Sequence, residues 1–437
     1  MLKLNLTRRA SRIAAVTLAA GAVVTPLLAS TPAAHADPRQ FTSSFAGVGS
    51  DTIQDVTNSF AGESAGNYIN PLATTGDTGR KQIISWNAVP PASLGTNTDG
   101  NSIACIQTKI GGATFNRPNG SGSGALALSR AIDGGNYGDG TCGAAGGKPV
   151  SGLIDFSRSS SGPSGTGTTA NVLTYVPFAR DGIAYAHYTT GTAAAITDFT
   201  KAELAQIYNG TGSGTDMVRG GVTTHVIPCD IQAGSGTRKT FYADLGFGST
   251  STAPATASTT CTQAADSMVG ANKAVEENNP SELKAKGDAV GGNNEFIVGM
   301  SAASFIAQNR GAAPNFTAAG VDLGSMSDDG SGGGTPVNLG KPYTGSGNTM
   351  QANSTYYAST VFGRNVYYVF NKAVIESSIG NGAIKSMFRG SSSLVCQASS
   401  TIINFGFLTL PSGADNVVGN CGSVAQHGDT SAAGNGP

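Results

Sequence analysis

The sequence is poor in charge. Only 12% of its 437 residues are Asp, Glu, Lys or Arg, and the 26 basic and 27 acidic residues nearly balance. It has no basic patch of the kind that neutralises the phosphates of nucleic acid. The composition therefore argues against nucleic acid as a partner.

Long apolar runs are also missing beyond the N-terminus. No later stretch approaches the roughly 20 apolar residues that a membrane helix needs. The N-terminus itself combines a positive start, an apolar run and a small-x-small cleavage site, carried in turn by Lys3, Arg8, Arg9 and Arg12, by Ile13 to Leu28, and by Ala34-His35-Ala36. This pattern predicts a secretory signal peptide over residues 1–36. An N-terminal anchor helix is the alternative, and Arg8-Arg9 leaves twin-arginine export open.

Removal of residues 1–36 would take away four basic and no acidic residues, leaving a mildly acidic chain. No cysteine near the cleavage site could carry a lipid. We therefore expect a soluble, secreted protein, either free or associated with the cell wall, and a monomer.

The six cysteines show none of the Cys-x-x-Cys pairs that are typical of zinc sites. In an exported protein an even number of cysteines predicts disulfides, with free thiols as the alternative. Many pairings are open to six cysteines. We predict sequential pairing because each pair then falls within one segment of the chain: Cys105 with Cys142, Cys229 with Cys261, and Cys396 with Cys421.

Histidine is scarce, and this bears on catalysis. Only His187, His225 and His427 remain after cleavage, and a serine nucleophile needs a base within reach. We predict that the chain is not an enzyme and needs neither a cofactor nor a metal; a secreted hydrolase is the alternative. An adhesion or carbohydrate-binding module is a third class, but such modules are usually all-β.

The chain is rich in glycine, with 62 residues, and long enough for two lobes. Apolar runs of strand length alternate with helical patterns, which predicts an α/β fold. The expected strands end at Val48 and span 83–86, 153–156, 226–228, 296–298 and 366–370. Five helices are expected. The first follows residue 52, the second covers 125–132, and the third begins at the capping box 200–203. The fourth follows residue 237, and the last lies around 384–388. Residues 321–355 are expected to be a Gly/Ser-rich loop.

Four strand-to-helix junctions share glycine, serine and threonine: 49–52, 120–124, 157–161 and 234–238. A helix N-terminus presents unpaired amides and a partial positive charge, glycine permits close approach, and hydroxyls add donors. Such junctions can bind anions without lysine. Each one alone is more simply an ordinary turn or N-cap. Arg158 and Arg238 lie within two of them, and guanidinium groups match tetrahedral oxyanions well.

The order of these motifs resembles the phosphate-binding proteins of ABC transporters. The landmarks are Gly47-Val48-Gly49-Ser50-Asp51-Thr52, Gly120-Ser121-Gly122-Ser123-Gly124, Ile154-Asp155-Phe156-Ser157-Arg158-Ser159-Ser160, Phe199-Thr200-Lys201 through Ile207-Tyr208-Asn209-Gly210, Gly234-Ser235-Gly236-Thr237-Arg238, and Phe405-Gly406-Phe407-Leu408-Thr409-Leu410-Pro411. They span roughly 41–411 in order, with long insertions near 87–115 and 321–355.

The resemblance implies a two-lobed type II periplasmic-binding-protein fold, with mixed sheets flanked by helices and two crossing strands at a hinge. We place the first lobe at 37–180 and 361–437, with a flexible tail after about 422, and the second lobe at 181–360. The crossings are expected near Val176 to Ala186 and Val361 to Phe370. The ligand would lie between lobes that close about this hinge.

The resemblance also implies the ligand, phosphate or a related oxyanion, and an ABC permease as a partner; a free scavenger or sensor is the alternative. The implied site residues are Ser50, Asp51, Thr52, Ser121, Ser123, Arg158, Ser159, Ser160, Gly234, Ser235, Gly236, Thr237 and Arg238.

Three positions depart from the family pattern. Ser160 stands where an aspartate usually accepts a proton from phosphate, Ile231 stands where an arginine is frequent, and Asp51 replaces a neutral hydroxyl residue. We hypothesise that Asp51 supplies the missing acceptor and that Arg158 and Arg238 supply the missing charge; the alternative for Asp51 is the N-cap of the first helix. Sulfate, which needs no acceptor, is also compatible with these departures.

Overall fold

The computed structural model of the chain describes residues 44–62, 83–89, 105–138, 142, 146–163, 172–209, 214–247, 274–328 and 337–428. The predicted signal peptide, Cys261 and the last nine residues lie outside the described residues. No helix in the described part of the chain has the length and apolar character needed to cross a membrane.

The strands are short except in the centre of the sheet. They are β1 Phe45–Gly49, β2 Ile83–Ser85, β3 Cys105–Ile106, β4 Phe115–Asn116, β5 Asn136–Tyr137, β6 Lys148–Pro149, β7 Phe156–Ser159, β8 Leu173–Thr189, β9 Asp198–Thr200, β10 Thr215–Arg219, β11 Val222–Pro228, β12 Asn294–Ser301, β13 Val321–Leu323, β14 Ser325–Asp328, β15 Val337–Asn338, β16 Tyr343–Thr344, β17 Gln351–Ala352, β18 Gly363–Asn371, β19 Leu408–Thr409 and β20 Gln426–Gly428.

The helices lie mostly between strands, as the alternating pattern predicted. They are α1 Gln54–Phe60, α2 Ser121–Asp133, α3 Lys201–Tyr208, α4 Gly236–Asp244, α5 Pro280–Val290, α6 Ala302–Asn309, α7 Ser354–Ala358, α8 Lys372–Ile375, α9 Gly382–Phe388, α10 Leu394–Gln397 and α11 Ser399–Asn404, with a 3-10 turn at Gly347–Thr349.

Strand β8 joins two halves of one mixed sheet, whose order is β10-β11-β12-β8-β18-β7-β1-β2. Its first residues, up to Gly182, pair with β18, and its last, from Ile183 on, pair with β12. We call the β18-β7-β1-β2 side the first half and the β12-β11-β10 side the second half. Strands β8 and β18 are the two predicted crossing strands, so the expected two-lobed α/β fold is confirmed.

Buried apolar residues cover both faces of the first half. Along β18, Tyr367 and Val369 pack with one cluster around Leu128, while Tyr368 and Phe370 pack with another around Phe388. Successive strand residues point to opposite faces, so this alternation means that the first half is covered on both sides. A separate cluster, which contains Tyr208, Phe241 and Phe296, belongs to the second half.

Most predicted elements are confirmed, and the capping box shows why. The Thr200 hydroxyl accepts the Glu203 amide at 3.2 Å, and the Glu203 carboxylate accepts the Thr200 amide at 2.9 Å. These two bonds satisfy amides that have no partner within the helix, so α3 begins where the pattern predicted.

The strand predicted at 153–156 is displaced. Leu153 lies in a turn, and β7 begins only at Phe156. The side chain of Asp155 accepts the Ala46 amide at 2.8 Å and pairs with Lys109. Asp155 therefore precedes β7 and bonds to the neighbouring strand β1 through its side chain.

Two further expectations are corrected. Within 321–355, the described residues form β13 to β17 and the start of α7 rather than a loop, because β13 and β14 find partners in β8 and β9. The helix at 384–388 is α9, and α10 and α11 follow it.

The tail is ordered beyond residue 422, at least to Gly428. Val424 is buried, and β20 pairs with β8. His427, expected in a disordered tail, lies in β20 and contacts Glu376 at 2.8 Å. This part of the tail is therefore a component of the sheet.

The disulfides Cys105–Cys142 and Cys396–Cys421 are confirmed. Cys229 is disulfide-bonded, but its predicted partner Cys261 lies outside the described residues, so this pairing stays a prediction.

Candidate functional site

The four junctions come together between the halves of the sheet. Strands β1 and β7 are parallel neighbours, so the turns that follow them leave the same edge of the first half. Helix α2 begins against the first of these turns: a Cβ on Gly124 would lie 2.6 Å from the Cα of Gly49. The turn between β11 and α4 approaches from the second half.

The second and fourth junctions touch through their backbones. The Gly122 amide donates to the Gly234 carbonyl at 3.1 Å. Gly120 has a φ of 92°, and a Cβ there would lie 2.3 Å from the same carbonyl oxygen. Glycine is therefore required at 120 both by its conformation and by the approach of the neighbouring turn.

Serine hydroxyls from the second and third junctions meet beside the fourth. The Ser121 hydroxyl accepts the Ser160 amide at 2.9 Å and lies 3.2 Å from the Ser160 hydroxyl. A Cβ on Gly236 would lie 2.3 Å from the first hydroxyl and 2.5 Å from the second. Three of the predicted segments thus converge within hydrogen-bonding distance.

Threonine hydroxyls connect the first and fourth junctions. Thr52 and Thr237 lie 3.2 Å apart, oxygen to oxygen. Both donate to one carboxylate oxygen, Oε1 of Glu277, at 2.6 and 2.5 Å. All three side chains are buried. The side-chain amide of Asn278 donates through Nδ2 to the Asp51 carboxylate at 3.0 Å and to the Thr52 hydroxyl at 3.2 Å.

The remaining predicted serines play different parts. Ser235 caps α4 by accepting the Arg238 amide at 3.0 Å, and the Ser159 hydroxyl donates to the Ser161 carbonyl at 2.7 Å. The hydroxyl of Ser50 is buried and has no partner among the described residues. Ser123 is half-buried and faces Gly234.

Arg158 does not point its donors at the cleft. It is fully buried, and its guanidinium donates to the carbonyls of Ser50 at 3.1 Å, Gly49 at 3.0 Å and Trp86 at 2.7 Å, and to the Ser85 hydroxyl at 2.5 Å. The expected direct contact with an anion thus gives way to a positioning role, in which Arg158 holds the first junction.

Arg238 is likewise paired within the chain. Its Nε and Nη2 donate to the two oxygens of Asp230, each at 2.9 Å, and its guanidinium carbon lies 5.7 Å from the centre of the Tyr242 ring. In a bidentate pair of this kind the carboxylate of Asp230 neutralises most of the positive charge of Arg238, which the sequence analysis had assigned to the anion.

The structure adds an arginine that the sequence analysis missed. Arg364, on β18, donates to Asp181 of β8 at 2.7 and 3.0 Å and through Nη2 to the Thr237 hydroxyl at 2.8 Å. Its Nη1 is buried without a partner in the described part of the chain. The only feature of the sequence that pointed towards Arg364 was its position in the second predicted crossing strand. Glu277 was also missed, because two adjacent glutamates, as at 276 and 277, are typical of a solvated surface.

Asp51 is not the N-cap of α1. That position is Ile53, and no side chain caps the helix. Burial, with the nearby carboxylates of Glu277 and Glu276, raises the pKa of Asp51 well above its usual range, and the bond from Asn278 opposes the shift. A carboxyl group that keeps its own proton is a weaker hydrogen-bond acceptor, so the raised pKa does not support the hypothesised acceptor role, which stays a prediction.

The histidines each face a carboxylate outside the junctions. His187 lies 3.2 Å from Glu295, His225 lies 2.6 Å from Asp216, and His427 contacts Glu376. In the described ranges no group of three or more His, Cys, Asp or Glu side chains is placed to hold a metal ion. The hydroxyls and amides of the junctions, in contrast, are groups suited to an anion.

No family model and no curated protein matches the chain, but solved structures do. An ABC-type phosphate transport receptor from Vibrio cholerae is 14% identical at a TM-score of 0.40, over 84% of this chain and 100% of that chain. A putative phosphate ABC transporter substrate-binding protein from Clostridium perfringens, with bound phosphate, is 13% identical at 0.40, over 84% and 100%. A human phosphate binding apolipoprotein is 16% identical at 0.43, over 84% and 91%. Each of these structures is described as a phosphate receptor or phosphate-binding protein, and matches at such identities and TM-scores assign no function to this chain.

Proposed function

We propose that the chain captures phosphate, or a tetrahedral oxyanion of similar size, where the four junctions meet. The observation that carries the proposal is the convergence of hydroxyls from separate segments: Thr52 meets Thr237, and Ser121 meets Ser160 beside Gly236. Hydroxyl groups placed together in this way can replace part of an anion's hydration shell.

Two helix N-termini support the proposal. Helices α2 and α4 both begin within the convergent junctions, at Ser121 and Gly236. Amides in the first turn of a helix have no carbonyl one turn earlier to bond, and the helix dipole adds partial positive charge there. An anion between the two starts would meet donors from both halves of the sheet.

The charged side chains near the proposed site favour recognition of the anion by neutral hydroxyl and amide donors. Arg238 is paired with Asp230 and Arg364 with Asp181, while Asp51 and Glu277 add acidic groups. In this proposal Arg364 is the cation nearest the anion, because it already donates to Thr237. Arg158 orients the first junction from behind.

The wider function follows from the same site. We propose that β8 and β18 form the hinge between lobes at the predicted boundaries, and that the exported protein delivers the anion to an ABC permease. A secreted scavenger or sensor that feeds no permease is the alternative. Deletion of the gene with no change in phosphate uptake would favour the scavenger or sensor.

Titration calorimetry of the mature protein against phosphate, arsenate, sulfate and simple sugars tests the binding function. We expect phosphate and arsenate to bind, and Ser121→Ala to weaken binding by about tenfold, since one buried hydrogen bond to a charged group contributes roughly 1.5–3 kcal/mol.

Ser129→Ala is the matched control. This buried serine lies two turns along the same helix, and its hydroxyl donates to the Ala125 carbonyl at 2.8 Å. Its variant is expected to keep the wild-type affinity. Binding of a sugar but of no oxyanion would overturn the proposed function.

A further inference from the structure

Glu277 holds the two threonine hydroxyls that the proposed site would offer to an anion. It lies in the segment beside the turn that leads into α4, where its amide donates to the Gln232 side chain at 2.6 Å. The side chain is only 3% exposed. Its Oε1 accepts both hydroxyl bonds, and its Oε2 is buried without a partner among the described residues.

A carboxylate is itself an oxyanion, and each threonine hydroxyl has one hydrogen to donate. While Thr52 and Thr237 donate to Glu277, neither can donate to a ligand. Because Thr52 belongs to the first half and Thr237 to the second, this single carboxylate also bridges the two sides in the way that a bound anion would.

The charges around Glu277 do not favour a second negative group. Asp51 faces Glu277 from the first junction, and Glu276 precedes it in the sequence. Asp181, on β8, is the ion-pair partner of Arg364 on β18. On the α4 side, Arg238 is paired with Asp230. Because Arg238 and Arg364 are each paired with an aspartate, they offer little net positive charge. A multivalent anion beside an ionised Glu277 would therefore meet strong repulsion.

We propose that Glu277 is a built-in competitor for the anion and that the Glu277 carboxylate must take up a proton before a multivalent anion can bind. The inference rests on the proposed function. Protonation removes the repulsion, and the neutral acid can donate to the incoming anion. Anion binding is then accompanied by proton uptake, and its affinity falls as pH rises.

Glu277→Gln tests the proposal, because the amide keeps the shape and an acceptor oxygen but cannot be charged. Calorimetry with phosphate and with sulfate, from about pH 5.5 to about pH 8.5 (roughly one and a half units either side of neutrality) and in buffers of different ionisation enthalpy, gives both the affinity and the number of protons taken up. Sulfate is informative because it brings no proton of its own.

At the alkaline end we expect Glu277→Gln to bind both anions about tenfold more tightly than the wild type, the equivalent of one pH unit of coupling. Proton uptake on sulfate binding should be smaller than in the wild type, and the affinity for sulfate should depend less steeply on pH. The dependence that remains belongs to Asp51, whose pKa burial also raises. Glu276→Gln is the matched control: it removes one charge from the adjacent residue and should keep the proton uptake.

The outcomes separate the two claims. If neither protein binds any oxyanion, the proposed function is wrong. If the wild type binds phosphate but Glu277→Gln binds equally or more weakly with unchanged proton uptake, only the competitor role is overturned. Thermal unfolding of each variant establishes that the binding data come from folded protein.

Discussion

The arginines show that a side chain's partners decide its role. In a chain this poor in charge, a guanidinium beside an anion-binding motif suggests a ligand contact. Arg158, however, donates to three backbone carbonyls, and buried carbonyls require such donors. Arginine supplies five donors in a rigid fork, so one side chain can order a whole turn.

Arg158→Met should therefore act on stability. It leaves the carbonyls of Gly49, Ser50 and Trp86 buried without donors, and we expect the free energy of unfolding to fall by about 3 kcal/mol or more. Urea unfolding followed by circular dichroism measures the loss.

The control for Arg158→Met is Arg130→Met. Arg130 forms a half-exposed ion pair with Asp133 in α2, which packs against the same half of the sheet, and such pairs typically contribute less than about 1 kcal/mol. Equal losses in the two variants would contradict the positioning role of Arg158.

At the scale of elements, the anion-binding junctions are also the places where helices begin. Helix α2 starts at Ser121, four residues before the helix that its apolar pattern predicted. Glycine is unfavourable inside a helix, so composition placed 120–124 in a turn. Contact with the Gly234 turn compensates for that cost, and tertiary packing thereby extends the helix into the site.

Gly120→Ala tests this contact. A Cβ would lie 2.3 Å from the Gly234 carbonyl oxygen, at a φ of 92°. We expect the start of α2 to shift away from Gly234 and anion affinity to fall by at least about tenfold, since a displaced backbone in a packed contact costs roughly 1–3 kcal/mol. Calorimetry measures the affinity.

Gly134→Ala is the control at the other end of the same helix. Its φ is 79°, but a Cβ there meets nothing within 4 Å, so only the conformational cost of about 1 kcal/mol applies. Stability should fall modestly and affinity should stay unchanged. If Gly120→Ala behaved in the same way, close approach at the site would not be what requires glycine.

At the scale of the whole molecule, β8 belongs to both halves of the sheet. Its 17 residues pair with β18 over their first part and with β12 over the rest. Loss of either half would expose one end of a buried strand. We therefore predict that the mature protein unfolds in a single calorimetric transition, and that an anion bound between the halves raises its midpoint. Two separate transitions, with only one shifted by phosphate, would contradict this coupling.

The order of motifs was sufficient to predict the fold class, the crossing strands and the junctions that meet. The displaced strand at β7 and the small strands within 321–355 were not predictable, because their bounds depend on partners far along the chain. Glu277 was missed for a related reason: two adjacent glutamates are typical of a surface, and nothing local shows that one is buried.

The sequence by itself determined which segments carry donors, because glycine, serine and threonine at strand ends have local conformational preferences wherever they occur. Tertiary structure alone decided how those donors are used. It paired Arg158 with carbonyls and Arg238 with Asp230, and it brought Glu277 to both threonines and Arg364 to Thr237. Long-range packing sets such pairings, since burial makes every unpaired charge and hydrogen-bonding group costly.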